Sequence, residues 1–100
     1  MKSIEKILIV DDERINRKIY SKLFMDAGYE VTAVSNSQET FDWLQNNTPD
    51  LIMLDIVLGK ESGLDILKKI KADPDLKYVY VVMITGKLTS SGEQANGLEL

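Results

Sequence analysis

Pro49-Asp50-Leu51-Ile52-Met53-Leu54-Asp55-Ile56-Val57-Leu58-Gly59-Lys60-Glu61-Ser62-Gly63 is an apolar run of strand length that ends in one carboxylate and breaks into a glycine-flanked loop. The run reads as a buried strand delivering Asp55. In open α/β sheets ligands bind outside the carboxyl ends of the strands, so an acid placed there faces solvent while its strand stays anchored in the core. Taken alone, Asp55 has a plainer reading, because aspartate is a favoured turn residue that hydrogen-bonds its own backbone.

Working outward, Lys6-Ile7-Leu8-Ile9-Val10 is a second apolar, β-branched run, and it stops at the acid pair Asp11-Asp12. From Arg14 to Ala27 the residues Ile15, Ile19, Leu23, Phe24 and Ala27 recur at near-helical spacing, and Gly28 stands where a left-handed C-cap is wanted. Tyr29 to Val34 reads as a less apolar strand at a sheet edge. Asn36 and Glu39 form an N-cap and its reciprocal partner, opening a helix through Phe41, Trp43 and Leu44, with Trp43 read as packing. Strand Leu51 to Asp55 is followed by a loop from Ile56 to Glu61. A helix runs from Ser62 to Ala72, with Leu64, Leu67 and Ile70 inside and Lys68, Lys69 and Lys71 outside. After the turn Asp73-Pro74-Asp75, Tyr78 to Ile84 is a fourth strand ending at Thr85-Gly86. Ser90 or Ser91 opens a last helix through Leu98, which Gly97 weakens.

Alternating strand and helix predicts a parallel sheet with right-handed crossovers, and no repeat or linker divides it. The expectation is one doubly wound α/β domain over residues 1–100. The 100 residues, 44% apolar and 28% charged, suit a single compact core. A net charge of −4 argues against nonspecific binding to nucleic acid or to an anionic membrane, and favours small cations as ligands. With no cysteine and no histidine, thiolate and imidazole metal sites are excluded, so any metal is held by oxygen. The N-terminus has no secretory pattern and no span reaches transmembrane length, so a cytoplasmic protein is expected.

Three strands therefore end in chemically useful groups: Asp11-Asp12, Asp55 and Thr85. If the first and third strands are neighbours, three carboxylates crowd one end of the sheet and a cation relieves their repulsion. Mg²⁺ is the natural one, since it takes oxygen ligands, keeps several waters and binds through one or two carboxylates plus a phosphate. That suggests phosphoryl transfer to a carboxylate, with a hydroxyl such as Thr85 assisting.

Ile7-Leu8-Ile9-Val10-Asp11-Asp12-Glu13, Pro49 to Asp55, Gly63 and Val82-Met83-Ile84-Thr85-Gly86 together resemble a two-component response-regulator receiver domain. The order, spacing and strand-end placement carry the resemblance; Ala27-Gly28-Tyr29 and Asn36 add to it. It implies the flavodoxin-like fold and a phosphoryl group taken from a sensor kinase's phosphohistidine onto Asp55. The partners implied are a sensor histidine kinase or phosphotransfer protein and a downstream output domain or protein. Asp12 would be a direct Mg²⁺ ligand, Asp11 a ligand through water, and Val57 would add its backbone carbonyl. Thr85 resembles the switch hydroxyl, and Gly86 would offer its backbone N–H to the phosphoryl group.

The chain also departs from the pattern. Gly59 and Tyr80 stand where proline is common, which suggests a looser loop after Asp55. The family pattern runs past Gly97-Leu98-Glu99-Leu100 into a fifth strand, with a phosphate-pairing lysine and an aromatic switch residue, and a fifth helix. Lys87, two residues after Thr85, is not assigned as a substitute. The sheet is thus expected in the order 2-1-3-4 with an apolar edge at Val79 to Ile84, inviting a dimer or exchange of elements between chains. A truncated or degenerate receiver that binds proteins without efficient phosphotransfer is the alternative. A haloacid-dehalogenase-like phosphatase would want a second aspartate where Val57 stands.

Overall fold

The computed structural model describes residues 3–84. Its elements are β1 (Lys6–Val10), α1 (Arg14–Asp26), β2 (Glu30–Val34), α2 (Ser37–Leu44), β3 (Leu51–Asp55), β4 (Val57–Leu58), β5 (Glu61–Ser62), α3 (Gly63–Ala72) and β6 (Tyr80–Ile84). Four strands form a parallel sheet in the order β2-β1-β3-β6, and β4 and β5 make a separate antiparallel hairpin. This is the expected doubly wound sheet. The expected last helix, Thr85, Gly86 and Lys87 all lie outside the described residues.

The central strands are apolar throughout because both faces are covered: Leu8, Ile9, Val10, Ile52 and Leu54 have no exposed surface. Leu8, Val10, Ile52 and Leu54 point to the side where Leu58, Ile66 and Ile70 pack, with Phe41, Trp43 and Leu67 partly buried around them. Each such side chain contributes about 1.5–3 kcal/mol by leaving water. Trp43 is packing, as its spacing suggested.

Helix α1 covers the other face, against β1 and β2. Its C-terminus closes as expected, with Gly28 at φ 100°. The Tyr29 N–H donates to the Phe24 carbonyl and the Gly28 N–H to that of Met25, each at 3.0 Å. The Phe24 and Tyr29 rings meet edge to face at 6.2 Å, completing a Schellman end with its apolar contact. The apolar stripe itself departs from expectation: Ile15, Ile19 and Leu23 are 71%, 58% and 59% exposed. Helix α1 lies toward the β2 edge and, among the described residues, no second helix stands beside that stripe.

Three further readings are corrected. On α3 the inward residues are Ile66 and Ile70, while Leu64 is exposed at the first turn. Lys71 is not simply solvated, since its Nζ donates to the carbonyls of Lys77 and Val79 at 3.1 and 2.9 Å and ties the end of α3 to the approach to β6. Strand β6 starts at Tyr80; Tyr78 is in the preceding turn and exposed.

The N-terminus of α2 draws on two glutamates. Asn36 Oδ1 accepts the Glu39 N–H at 2.8 Å, while Glu39 Oε1 reaches back to the N–H and hydroxyl of Ser35 at 2.7 and 2.8 Å, one residue earlier than the reciprocal box predicts. Glu61 Oε1 and Oε2 accept the Ser37 N–H and hydroxyl at 2.9 and 2.6 Å. Both carboxyls are held below the usual glutamate value of 4.5, Glu39 chiefly by the Ser35 N–H and Glu61 chiefly by the Ser37 hydroxyl. A depressed value means the contribution is present above the ordinary range and lost as pH falls through the folded-state value. We expect the Ser35 and Ser37 amide resonances to move in acid with midpoints below 4.5; midpoints at or above it would contradict the bonding.

Candidate phosphoacceptor and cation site

The chain leaves β1 through α1 to one side and returns through α2 to β3 on the other, so the C-terminal ends of β1 and β3 flank the switch point of the sheet. Val10 is in register with Leu54, so the next residues, Asp11 and Asp55, emerge abreast. With Asp12 they form one cluster: an oxygen from each of the three carboxylates lies within 4.8 Å of the others. The convergence that the strand ends suggested is present.

The cluster sits in a half-closed environment. Asp11 and Asp55 are 2% and 1% exposed, and Asp12 is half-buried. Asp11 Oδ1 accepts the Glu13 N–H at 2.9 Å, its N–H donates to the Val34 carbonyl at 3.1 Å, and its own carbonyl accepts Arg17 Nη1 at 2.9 Å. Asp55 Oδ1 accepts the Val57 N–H at 3.0 Å. The backbone after Asp55 is fixed on both sides: the Ile56 N–H donates to the Ile84 carbonyl at 3.0 Å, and the Ile56 carbonyl accepts the Gly63 N–H at 2.7 Å. Donors of this kind orient the acids without neutralising them, and an all-oxygen set of hard ligands suits a small divalent cation.

Gly63 is where the structure adds most to the sequence motif. A Cβ built there would lie 2.1 Å from the Asp55 carbonyl oxygen and 2.9 Å from the Asp55 carbonyl carbon. Only glycine lets α3 begin against the strand that carries Asp55.

The loop after Asp55 is not loose. Val57 pairs with Ser62 and Leu58 with Glu61 across the turn Gly59-Lys60. Gly59 has φ 61°, a left-handed value that proline's ring forbids, so glycine here makes a tight hairpin rather than slack. The turn passes over the acids: a Cβ at Gly59 would lie 3.6 Å from Asp12 Oδ2.

At the opposite end of the sheet Asp50 has a role that sequence reasoning missed. Its Oδ2 accepts the N–H groups of Glu5 and Lys6, both at 2.9 Å, and so anchors the start of β1 beside β3. The hairpin and the Glu61–Ser37 contact were also missed, because nothing local marks a pair 24 residues apart. Ile84, the last described residue, is in register with Asp55; the expected Thr85 and Gly86 roles fall beyond it.

A strand-end trio of carboxylates at the switch point of a 2-1-3 sheet defines a class of small α/β proteins built around an acidic, oxygen-only site. The model of the response regulator receiver domain matches residues 7–97, and the chain belongs to that family. The polar-differentiation response regulator DivK of Brucella anthropi is 32% identical over 90 residues, spanning 90% of this chain and 73% of that protein. The N-terminal domain of a response regulator receiver protein from Methanoculleus marisnigri is 30% identical with a TM-score of 0.78, over 97% of this chain and 78% of the other. The phosphorylated cyanobacterial phytochrome response regulator RcpA is 26% identical with a TM-score of 0.75, over 98% and 77% of the two chains.

Proposed function

We propose that this receiver domain accepts a phosphoryl group on Asp55 from the phosphohistidine of a sensor kinase or phosphotransfer protein and passes the change to an output domain or partner. The observation that carries the reading is the convergence of Asp11, Asp12 and Asp55 on the paired ends of β1 and β3. In the transfer an Asp55 carboxylate oxygen bonds to phosphorus, the phosphorus–nitrogen bond of the donor breaks, and the imidazole nitrogen leaves with the bonding pair. Asp55 becomes an acyl phosphate. The Val57 N–H, already on Oδ1, orients the carboxylate for this attack.

Asp11, Asp12 and Asp55, with the Val57 carbonyl, are the groups that would hold Mg²⁺. When bound, the cation offsets carboxylate repulsion and the charge on the phosphoryl oxygens. Thr85 is assigned as the switch hydroxyl and Gly86 as a backbone donor, on the family pattern. The protein is read as a cytoplasmic switch rather than a turnover enzyme.

The test is a Mg²⁺ titration followed by amide shifts, with perturbations expected around residues 11–13 and 55–59. Asp12→Ala is expected to weaken binding about tenfold or more. Perturbations unchanged in that variant would remove the site. Association of two copies along β6 is also proposed, supported by Tyr80 and Val82, which are 57% and 47% exposed on this edge among the described residues. Sedimentation at micromolar concentration checks it: a monomer with protected Tyr80–Ile84 amides counts against pairing.

A further inference from the structure

The contact between Glu61 and Ser37 joins two elements, the β4–β5 hairpin and the first turn of α2. Both carboxylate oxygens are used, one on the N–H and one on the hydroxyl of the same residue, at 2.9 and 2.6 Å. The pair is charge-assisted and the helix N-terminus adds its dipole to the hold on the anion, although solvent screens the exposed Glu61 carboxylate. Glu61 pairs in the hairpin with Leu58, which is 3% exposed, so the tether pulls on a segment that is also pinned in the core. Between them stands the turn residue Gly59, over Asp12. The hairpin therefore has three fixed points: the Val57 N–H on Asp55, Leu58 in the core, and Glu61 on Ser37.

We propose that Glu61 and Ser37 act together as positioning residues for the acid site, holding the hairpin turn over Asp12 and so setting the cation affinity of Asp11, Asp12 and Asp55. Neither residue is a ligand. Their effect passes through the backbone from Glu61 to Gly59, on the side of the turn that Leu58 does not hold. The tether supplies the restraint from outside the turn.

This rests on the cation reading above, and the experiment separates the two. Mg²⁺ affinity is measured by amide shifts for the unsubstituted chain, Ser37→Ala, Ser37→Thr, Glu61→Ala and the Ser37→Ala/Glu61→Ala pair, with amide dispersion checking that each is folded. Absence of binding in the unsubstituted chain defeats the cation reading and this proposal with it. With binding present, Glu61→Ala is expected to weaken Mg²⁺ roughly fivefold, the scale of one net hydrogen bond, and Ser37→Ala, which keeps its N–H, by less. The pair should weaken it no more than Glu61→Ala alone, since both remove one contact. Ser37→Thr, which restores the hydroxyl, should recover the affinity, and Gly59 amide exchange should quicken in the variants that weaken binding. A salt-sensitive loss in Glu61→Ala with Ser37→Ala unchanged would mean that Glu61 acts only as a distant charge, and would overturn the proposal. So would additive losses in the pair, or an unchanged Gly59 amide.

Discussion

Asp55→Asn is expected to abolish phosphoryl labelling by a small acyl phosphate such as acetyl phosphate in Mg²⁺, reducing the adduct seen by intact mass at least about 100-fold. The substitution is nearly isosteric. The amide oxygen of asparagine can still accept the Val57 N–H that Asp55 Oδ1 accepts at 3.0 Å, so the hairpin is kept while the anionic nucleophile is lost. It also removes one of three crowded negative charges from a position 1% exposed, where relief of repulsion offsets part of the cost of the change. The variant should therefore fold and fail to label. An adduct persisting in Asp55→Asn would move the acceptor elsewhere. No adduct on the unsubstituted protein, with Mg²⁺ bound, would favour a module that binds partners without phosphotransfer.

Gly63→Ala is expected to be the most destabilising of the glycine-to-alanine changes among the described residues. The new Cβ would stand 2.1 Å from the Asp55 carbonyl oxygen and 2.9 Å from Ile56 Cα, and these are backbone atoms that no rotamer change can move. Either α3 withdraws from β3, breaking the 2.7 Å bond from the Gly63 N–H to the Ile56 carbonyl, or the end of β3 shifts and carries Asp55 with it. We expect a loss of about 3 kcal/mol or more, a large part of the 5–15 kcal/mol that typically holds a domain. At the usual entropy of unfolding for this size, that lowers the melting temperature by roughly 12 °C or more. Gly59→Ala is the control. Its Cβ meets Asp12 Oδ2 at an ordinary 3.6 Å, so only the left-handed backbone is strained, at about 1 kcal/mol. Thermal unfolding of the two variants separates them; equal losses would contradict the steric account.

The two residues illustrate what kinds of information the chain holds locally. Strand β3 and its terminal acid are legible because burial on both faces demands an uninterrupted apolar run, and the carboxylate that stops it belongs at the surface end. The same logic marks β1 and Asp11-Asp12. Gly28 and Asn36 are legible because caps are satisfied within a few residues of the chain. The parallel sheet follows from alternation, whereas its strand order was implied only by the family resemblance, and an all-oxygen donor set restricts any metal held there to a hard cation.

Spacing misleads where burial depends on a neighbour elsewhere in the chain. Ile15, Ile19 and Leu23 have helical period, yet period says only that they share a face, and that face is exposed among the described residues. On α3 one residue of the expected inner face was misplaced: Ile70 is buried and Leu67 packs on the core as expected, while Ile66 points inward and Leu64, in the first turn, does not.

The sequence by itself therefore determined the doubly wound sheet and the three carboxylates, since these depend on burial period, strand-end placement and the absence of histidine and cysteine. Tertiary structure alone decided that the oxygens lie within 4.8 Å, that the loop after Asp55 is a hairpin, and that Glu61 reaches Ser37. Those contacts join residues tens of positions apart, and their distances are set by how strands register and helices seat, which no local pattern of residues encodes.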